Sequence, residues 1–296
     1  MIEKIYIPTY GRIDSQLTYH GLPDKWKEKT ILVIAASEED KLQELGYKTA
    51  VCPCQGPAPA GEDSIKYGIS PTREWIHGHA GKHKYAVMDD DIQTFLYEAT
   101  PEEKAAGDPK KAVINYPVNS KGERGQPAKG YEDYFDRMMS KMSSHLNEVV
   151  TAGLDNVWTF PKDSSHQYNF RQTIIHFING ETFPDGIDWV SIKLAEDYYV
   201  LLQLMTKGYQ NIIEHRFRIG ASGTQTTGGC ETYRTIDNHN EAMHQLQAAF
   251  PDFVKLRPKA VKSGPWTGQD KLAATISWKK AYESSQKKAN NMDWAF

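Results

Sequence analysis

Residues 84–92 constrain the fold of this chain most, because a short apolar run in them ends in three consecutive carboxylates. Residues 84–88 have the length and composition of a buried β-strand. Asp89, Asp90 and Asp91 then follow the strand's end, at the edge where open α/β sheets bind ligands. Adjacent acids repel one another, and a divalent cation held by carboxylate oxygens offsets that repulsion. The triplet therefore predicts a Mg²⁺ or Mn²⁺ site, and a solvated acidic turn is the alternative interpretation.

Apolar runs and helix signals alternate along the first 95 residues. Residues 4–8, 30–35 and 48–52 are predicted strands, and Ser37 and Ser70 are predicted N-caps of the intervening helices. Such alternation favours an α/β fold with a mainly parallel central sheet and helices on both faces.

The second half of the chain predicts further elements of both kinds. Helices are expected over residues 132–152, 194–207 and 237–249, and strands over 156–160, 172–177 and 210–219. His176 alternates with apolar neighbours and is interpreted as a structural histidine. Residues 99–130 are polar and rich in Gly, Pro and Lys, which predicts a long loop or lid.

Bulk composition indicates a soluble globular protein. The chain has 296 residues, 39% hydrophobic content and a net charge of −3. It contains no run of eighteen apolar residues, so no membrane span is expected. Its N-terminal residues lack the basic and apolar regions of a signal peptide. Three cysteines without a Cys-x-x-Cys pair argue against a disulfide framework or a structural zinc site, and we expect a cytoplasmic location.

Charge is distributed unevenly along the chain. Residues 253–296 hold nine Lys or Arg against three acids, so this part carries +6 and the remainder −9. An anionic partner is one explanation, and a solvated basic helix face is the other. Trp266 lies among these lysines, where its ring could stack on a nucleic-acid base. Packing of the tail tryptophans onto the body of the protein is the alternative.

Two further features could carry chemistry. Glu196 and Asp197 lie in the first turn of a predicted helix, where one of them is a candidate general base. Alternatively, both acids only complement the helix dipole. A Gly/Thr-rich stretch over residues 220–230 could fold over phosphates through its backbone N–H groups, or could be a plain flexible loop.

Several motifs together resemble a nucleotide-sugar glycosyltransferase of the GT-A fold. They are Ile-Pro-Thr-Tyr-Gly-Arg at residues 7–12, Gly-Ile-Ser-Pro-Thr-Arg at 68–73, the triplet after its strand, and the later Glu-Asp pair. The residues of the first three motifs, together with Trp75 and Ile76, are similar to those of the bacteriophage TET-associated glycosyltransferases. The resemblance is strongest over residues 1–95 and extends to about residue 235.

This resemblance implies transfer of a sugar from a nucleotide-sugar donor, expected to be a UDP-sugar, to a hydroxymethylated pyrimidine in phage DNA. The implied nucleotide-sugar site consists of Pro8, Thr9, Tyr10, Gly11, Arg12, Arg73, Asp89 and Asp90. The implied metal ligands are Asp91, Asp89 and His239, with the register of the triplet left open and His244 and His215 as alternatives. The implied catalytic acids are Asp197 and Glu196, and Gly228, Gly229 and Trp266 are candidates for contact with the acceptor or for loop closure.

The resemblance also implies a domain organisation. Residues 1–235 would form the GT-A catalytic domain, with a nucleotide-sugar-binding half at 1–98, a loop or lid at 99–130 and an acceptor half at 131–235. Residues 236–296, which the resemblance does not cover, are expected from their charge and helix patterning to form a helical extension that is basic from residue 253. The enzyme would act in the cytoplasm of an infected bacterial host, with no contact with membrane.

Three rival functions remain compatible with the sequence. The same fold could glycosylate a saccharide or a protein. Acid clusters also hold the metals of nucleotidyltransferases, although a Gly-Ser followed by a spaced Asp-x-Asp pair is not found here. A non-catalytic nucleic-acid-binding module would bind DNA without turning over any nucleotide sugar. The sugar, the metal, the stereochemical course and the oligomeric state are left open.

Overall fold

The computed structural model describes residues 1–99, 102, 105–107, 111–113, 130–157, 159, 164–221, 229–262 and 265–292. The strands are β1 (Lys4–Pro8), β2 (Thr30–Ile34), β3 (Thr49–Val51), β4 (Lys84–Met88), β5 (Ile92–Glu98), β6 (Lys111–Val113), β7 (Thr151–Asn156), β8 (His166–Tyr168), β9 (Ile175–Asn179), β10 (Asn211–Ala221), β11 (Val254–Ala260) and β12 (Asp270–Ile276). The α-helices are α1 (Leu17–Gly21), α2 (Asp24–Lys27), α3 (Glu39–Glu44), α4 (Ile69–Ala80), α5 (Tyr131–His145), α6 (Glu196–Thr206), α7 (Ile236–Ala249) and α8 (Trp278–Met292).

One central sheet organises the described part of the chain. Its order is β3-β2-β1-β4-β9-β7-β10-β5-β6, with β8 also paired to β10. Strands β1 to β4 are mutually parallel, and β9 enters antiparallel between β4 and β7. Counting β6, β7 and β10 with the first four, seven of the ten strands run in one direction. The prediction of a mainly parallel α/β sheet is therefore confirmed.

Helices cover both faces of the sheet because its strands are apolar on both sides. In β1, Ile5 and Ile7 face a core that includes Trp26 of α2 and Met138 of α5. Tyr6 faces the opposite core, which contains side chains of α4 and α6. Each fully buried side chain of this size contributes about 1.5–3 kcal/mol, so the two cores together hold the strand ends in place.

The predicted helix over residues 132–152 is wrong in its second half. Helix α5 ends at His145, and Thr151–Asn156 forms β7. The helical spacing of apolar residues continues past the helix end, but Val149, Val150 and Thr151 are β-branched and favour a strand. Gly153 does not end a helix; a Cβ there would lie 2.6 Å from Gln172 Cγ, so its small size lets Gln172 pack against β7.

The expected start of α4 is also corrected. Gly68, with φ +100°, is the N-cap, and Ser70 lies inside the helix. The Ser70 hydroxyl lies 3.0 Å and 2.8 Å from the carbonyl oxygens of Ile192 and Lys193. Ser70 therefore joins α4 to the segment before α6 and does not cap its own helix.

The part of the chain after residue 235 contains more than helix. Between α7 and α8, strands β11 and β12 form an antiparallel hairpin, which was not expected. Leu201, Leu202 and Met205 of α6 pack against Leu246 and Trp278 in a third core. The packing interpretation of the tail tryptophans is thus confirmed for Trp278, which is buried.

The proposed lid at residues 99–130 lies largely outside the described residues. Within it, Lys111–Val113 forms β6 and pairs with β5. Among the described residues, no helix combines the length and the apolar character that crossing a bilayer requires.

Candidate active site

A cleft of about 870 Å³ opens at the carboxyl ends of β1 and β4. Its lining includes eleven of the residues predicted for the site, namely Pro8, Tyr10, Arg12, Arg73, Asp89, Asp90, Asp91, Glu196, Asp197, Gly229 and His239. Parallel strands bring segments that are far apart in sequence to the same edge, and this explains how one cleft gathers them. Gly228 lies outside the described residues.

Asp90 is turned toward the protein. Its carboxylate accepts a hydrogen bond from the Thr9 hydroxyl at 2.8 Å and pairs with the Arg12 guanidinium. Gln16 Nε2 in turn donates to Thr9 Oγ1 at 3.0 Å. Burial raises the pKa of Asp90 to about 6, against the effect of Arg12. Asp90 therefore holds the loop after β1 in place, as does the Gly11 amide, which donates to Glu38 at 2.7 Å.

Asp89 and Asp91 keep more of their side chains accessible from the cleft, with 36% and 19% of them exposed. Burial and the charges of the two neighbouring acids raise the pKa of Asp91 to about 7. Burial also raises the pKa of Asp89. These groups fit a divalent cation, since their hard oxygen ligands lack enough positive charge nearby to stay fully ionised. The arrangement favours the register Asp89-x-Asp91 for the acid motif.

Arg73 lies between the triplet and the second pair of acids. Its Nη2 is 3.1 Å from Asp89 Oδ1, and its Nη1 is 2.9 Å from Glu196 Oε1. Nη1 is also 3.2 Å from Nε2 of His176, which is half-buried. Burial, and then the charge of Arg73, holds the pKa of His176 well below its usual value. His176 is thus a neutral structural residue, as predicted, and it helps to position Arg73.

Glu196 and Asp197 begin helix α6 and differ in their surroundings. Ala195 before them adopts a left-handed conformation with φ +69°. Glu196 is buried and paired with Arg73, whereas Asp197 is partly exposed and accepts a hydrogen bond from the Tyr198 amide at 2.9 Å. Burial and the charge of Glu196 raise the pKa of Asp197 to about 7. A carboxylate with a pKa near neutrality suits a general base.

The sequence between residues 3 and 229 matches the family model described as TET-Associated Glycosyltransferase. The chain belongs to the TET-associated glycosyltransferase family. The predicted resemblance is thereby confirmed over more than the first 95 residues on which it was strongest.

Curated relatives of this TET-associated glycosyltransferase come from two bacteriophages. Over 114 residues the chain is 25% identical to the β-glucosyl-HMC-α-glucosyl-transferases of Enterobacteria phages T2 and T6. The match covers 37% of this chain and 41% of each relative, so it spans less than half the length of these proteins.

A solved structure with a similar outline is the UTP-bound UGPase from Acinetobacter baumannii. It covers 85% of this chain and 95% of its own, with 9% identity and a TM-score of 0.35. A likeness at this level carries no conclusion about ligand or reaction.

The individual basic residues that line the cleft were not identified from the sequence. Arg171, Arg234, Arg257, Lys259 and Lys271 all line it. Arg257 and Lys259 are spaced two apart on β11, so they lie on the same face of the hairpin. This spacing of two could have identified them as residues on one face of a strand. The segment was predicted to be helical, and residues two apart do not share a face of a helix.

Tyr233 and Cys230 were also missed as cleft residues. The Tyr233 hydroxyl accepts a hydrogen bond from the Ile69 amide at 2.9 Å and donates to Cys230 Sγ at 3.0 Å. Tyr233 therefore takes up an amide at the start of α4 and links that helix to Cys230.

Gly229 and His239 line the cleft and also contact neighbouring segments, and Trp266 lies beside His239. The Gly229 amide donates to the Tyr10 carbonyl at 2.7 Å, and a Cβ at Gly229 would lie 3.5 Å from the Arg12 guanidinium. His239 Nε2 donates to the Leu272 carbonyl at 2.9 Å, which leaves Nδ1 for a metal ion. The Trp266 ring lies 5.8 Å from that of His239.

Proposed function

We propose that this chain transfers a sugar from a nucleotide-sugar donor to the hydroxyl of a hydroxymethylated pyrimidine in phage DNA. The observation that carries the proposal is a single cleft holding two kinds of acid. Asp89 and Asp91 are suited to a cation on a diphosphate, and Asp197 is suited to a proton transfer. Family membership supports glycosyl transfer as the reaction.

The donor would bind with its nucleotide against the loop after β1 and its diphosphate toward the triplet. Tyr10, Arg12, Gln55 and Gly56 line that end of the cleft. The Gln55 amide donates to the Thr9 carbonyl at 2.9 Å, so the loop that would contact the nucleotide is fixed from two sides. A UDP-sugar is the donor we propose.

A divalent ion would be held by Asp89 and Asp91, with His239 as a candidate third ligand. When bound there, Mn²⁺ or Mg²⁺ would neutralise negative charge on the leaving diphosphate. Arg12 and Arg73 are paired to the same triplet. They would orient these carboxylates toward the donor, and the bound ion would favour their ionised form.

Proton transfer would fall to Asp197. Its carboxylate would take the proton that the acceptor hydroxyl loses as its oxygen bonds to the anomeric carbon. The bond from that carbon to the diphosphate oxygen breaks, and the nucleoside diphosphate leaves. Glu196 is committed to Arg73, so we assign it to positioning and Asp197 to catalysis.

The basic side of the cleft would receive the DNA. A base in a duplex must leave the stack to reach such a pocket. Arg257, Lys259 and Lys271 would contact the backbone phosphates beside the flipped base. The reaction would take place where phage DNA is modified, in the cytoplasm of the infected host.

The names of the two phage relatives favour a second acceptor within the same reaction class. Both act on hydroxymethylcytosine (HMC) that already carries a β-glucosyl group. A sugar hydroxyl on a modified base is thus a candidate acceptor for this chain as well. Asp197 and the metal site would serve either hydroxyl in the same way.

The decisive experiment supplies the full chain with Mn²⁺, a panel of nucleotide sugars and three DNA substrates. The substrates contain hydroxymethylcytosine, hydroxymethyluracil or glucosylated hydroxymethylcytosine, and DNA with 5-methylcytosine is the control without the hydroxyl. Mass spectrometry of the digested nucleosides should show one added sugar, with release of nucleoside diphosphate. Transfer to a saccharide or protein but to none of these DNAs would overturn the proposed acceptor.

A further inference from the structure

A second group of metal-ligating side chains lies outside the cleft. His145, His166 and Glu214 each offer one ligand atom, and these three atoms lie within 4.8 Å of one another. His145 is the last residue of α5, while His166 and Glu214 face each other as register partners on β8 and β10. Three elements that are separate in sequence therefore converge on one point.

The distances suit a metal ion of modest size. His145 Nε2 lies 2.9 Å from Glu214 Oε2. Ligand atoms around tetrahedral Zn²⁺, with bonds of about 2.0–2.2 Å, lie about 3.3 Å apart. The 2.9 Å separation is shorter than that value, and no two of the three ligand atoms are more than 4.8 Å apart, so side-chain rotations could bring all three to bonding distance.

The outward atoms of two ligands are already held. His166 Nδ1 hydrogen bonds with the Ser165 hydroxyl at 3.0 Å, and Glu214 Oε1 accepts from the Arg216 amide at 2.9 Å. Such outer contacts orient metal ligands and select the ring nitrogen that faces the ion. They leave His166 Nε2 and Glu214 Oε2 as the atoms available to a shared ion.

We propose that His145, His166 and Glu214 bind a divalent transition-metal ion of the Zn²⁺ type, with water as the fourth ligand. Two imidazoles and one carboxylate suit Zn²⁺, whereas Mg²⁺ prefers oxygen ligands alone. The ion would fasten the three-residue strand β8 to β10 and to the end of α5.

This site is distinct from the cleft. Glu214 lies seven residues before Ala221, the residue of β10 that lines the cleft. At about 3.3 Å per residue, the two positions are on the order of 20 Å apart along the strand. The ion would therefore stabilise the fold and take no part in sugar transfer.

The test measures Zn²⁺ binding to the chelator-treated full chain by competition with a chromophoric chelator. We expect one tight equivalent in the wild type and a loss of affinity of about 100-fold or more in His166→Gln. His166 is half-buried, so its replacement should be tolerated. His244→Gln, at an exposed histidine, is the matched control and should keep the wild-type affinity.

Two further variants keep the test decisive. His166→Cys supplies another zinc ligand and should retain binding, with a thiolate band when Co²⁺ replaces Zn²⁺. Asp91→Asn should leave the tight equivalent unchanged, because that residue belongs to the cleft. Wild-type affinity in His166→Gln, no tight equivalent in the wild type, or loss of the equivalent in Asp91→Asn would each overturn the proposal.

Discussion

The Arg73 guanidinium lies 2.9 Å from the Glu196 carboxylate and joins α4 to the first residue of α6. Only 8% and 6% of these side chains are exposed. Because Arg73 also contacts Asp89, one guanidinium sets the position of the proposed metal ligands relative to the proposed base. Breaking a buried pair of this kind costs about 3–5 kcal/mol, since it leaves a charge without a partner.

The two acids at the start of α6 should respond differently to amide substitution. Asp197→Asn should lower kcat by about 10²–10⁴-fold, since a positioned base contributes that much, and it should not lower Tm. Glu196→Gln should lower the free energy of unfolding by about 1–3 kcal/mol, because it weakens a charged hydrogen bond to Arg73. Thermal unfolding and steady-state kinetics of both variants check this. Wild-type kcat in Asp197→Asn would remove the base assignment.

Activity should depend on the ionisation of Asp197. Burial raises its pKa from the usual 3.8 to about 7, and a base must be deprotonated to act. The kcat should therefore rise with pH by up to about tenfold per unit below pH 7 and level off above it. Saturating Mn²⁺ in the assay would keep Asp91 ionised throughout. A pH–rate profile without this rise would contradict the prediction.

Alanine substitutions of Asp91 and Asp90 should distinguish a role in metal binding from a role in holding the loop after β1. Asp91→Ala should abolish metal-dependent turnover while the fold persists, because its carboxylate faces the cleft. Asp90→Ala should instead destabilise the protein by about 3–5 kcal/mol, since it leaves the Arg12 charge without its closest partner. Circular dichroism melts and Mn²⁺ titrations of activity distinguish the two. Full turnover in Asp91→Ala would transfer the metal to another acid.

Stability without metal should fall as the triplet ionises. The pKa of Asp91 is raised from 3.8 to about 7, so the folded state binds this proton more tightly than the unfolded chain does. The resulting stability is present below pH 4 and is lost as pH rises through 7.

The Asn side chain in Asp91→Asn does not ionise. The free energy of unfolding of this variant should therefore exceed that of the metal-free wild type at pH 8 by on the order of 1–4 kcal/mol. Urea unfolding at pH 4 and pH 8 measures the difference. Saturating Mn²⁺ should stabilise the wild type at pH 8 and leave Asp91→Asn unaffected. Equal stability of both proteins at pH 8 would contradict the prediction.

Lys259, a hairpin residue that lines the cleft, should contribute to the salt dependence of DNA binding. Lys259→Ala should weaken binding to all sequences and reduce the slope of log K against log salt by about 0.9. Lys82→Ala, an equal charge change in the turn before β4, is the control. Fluorescence anisotropy over a salt series checks both variants. A reduced slope in the control but not in Lys259→Ala would place DNA elsewhere.

Much of the nucleotide-sugar half could be predicted from residues alone. Strands β1, β2 and β4 are short apolar runs that end at Pro8, Ala35 and the triplet. Runs that are apolar throughout are typical of strands buried on both faces of a sheet, and these strands are buried. The acid motif and the Glu-Asp pair carry local signals as well. Their chemistry follows from residue type and position at an element's end.

Other features depend on contacts between distant segments. The entry of β9 between β4 and β7 follows from no local pattern. The end of α5 was missed because helical and strand-like preferences overlap around Val149. The His145–His166–Glu214 group is assembled only when α5, β8 and β10 meet.

The sequence by itself determined the α/β class, the family and the identity of the acids at the cleft, because these depend on local spacing and residue chemistry. Only the tertiary structure decided that Asp90 faces Thr9 and Arg12 while Asp91 faces the cleft. It also decided that Arg73 pairs with Glu196, which makes Asp197 the base that we propose. These assignments depend on burial and on charges brought together from distant parts of the chain, and both arise only when the sheet is complete.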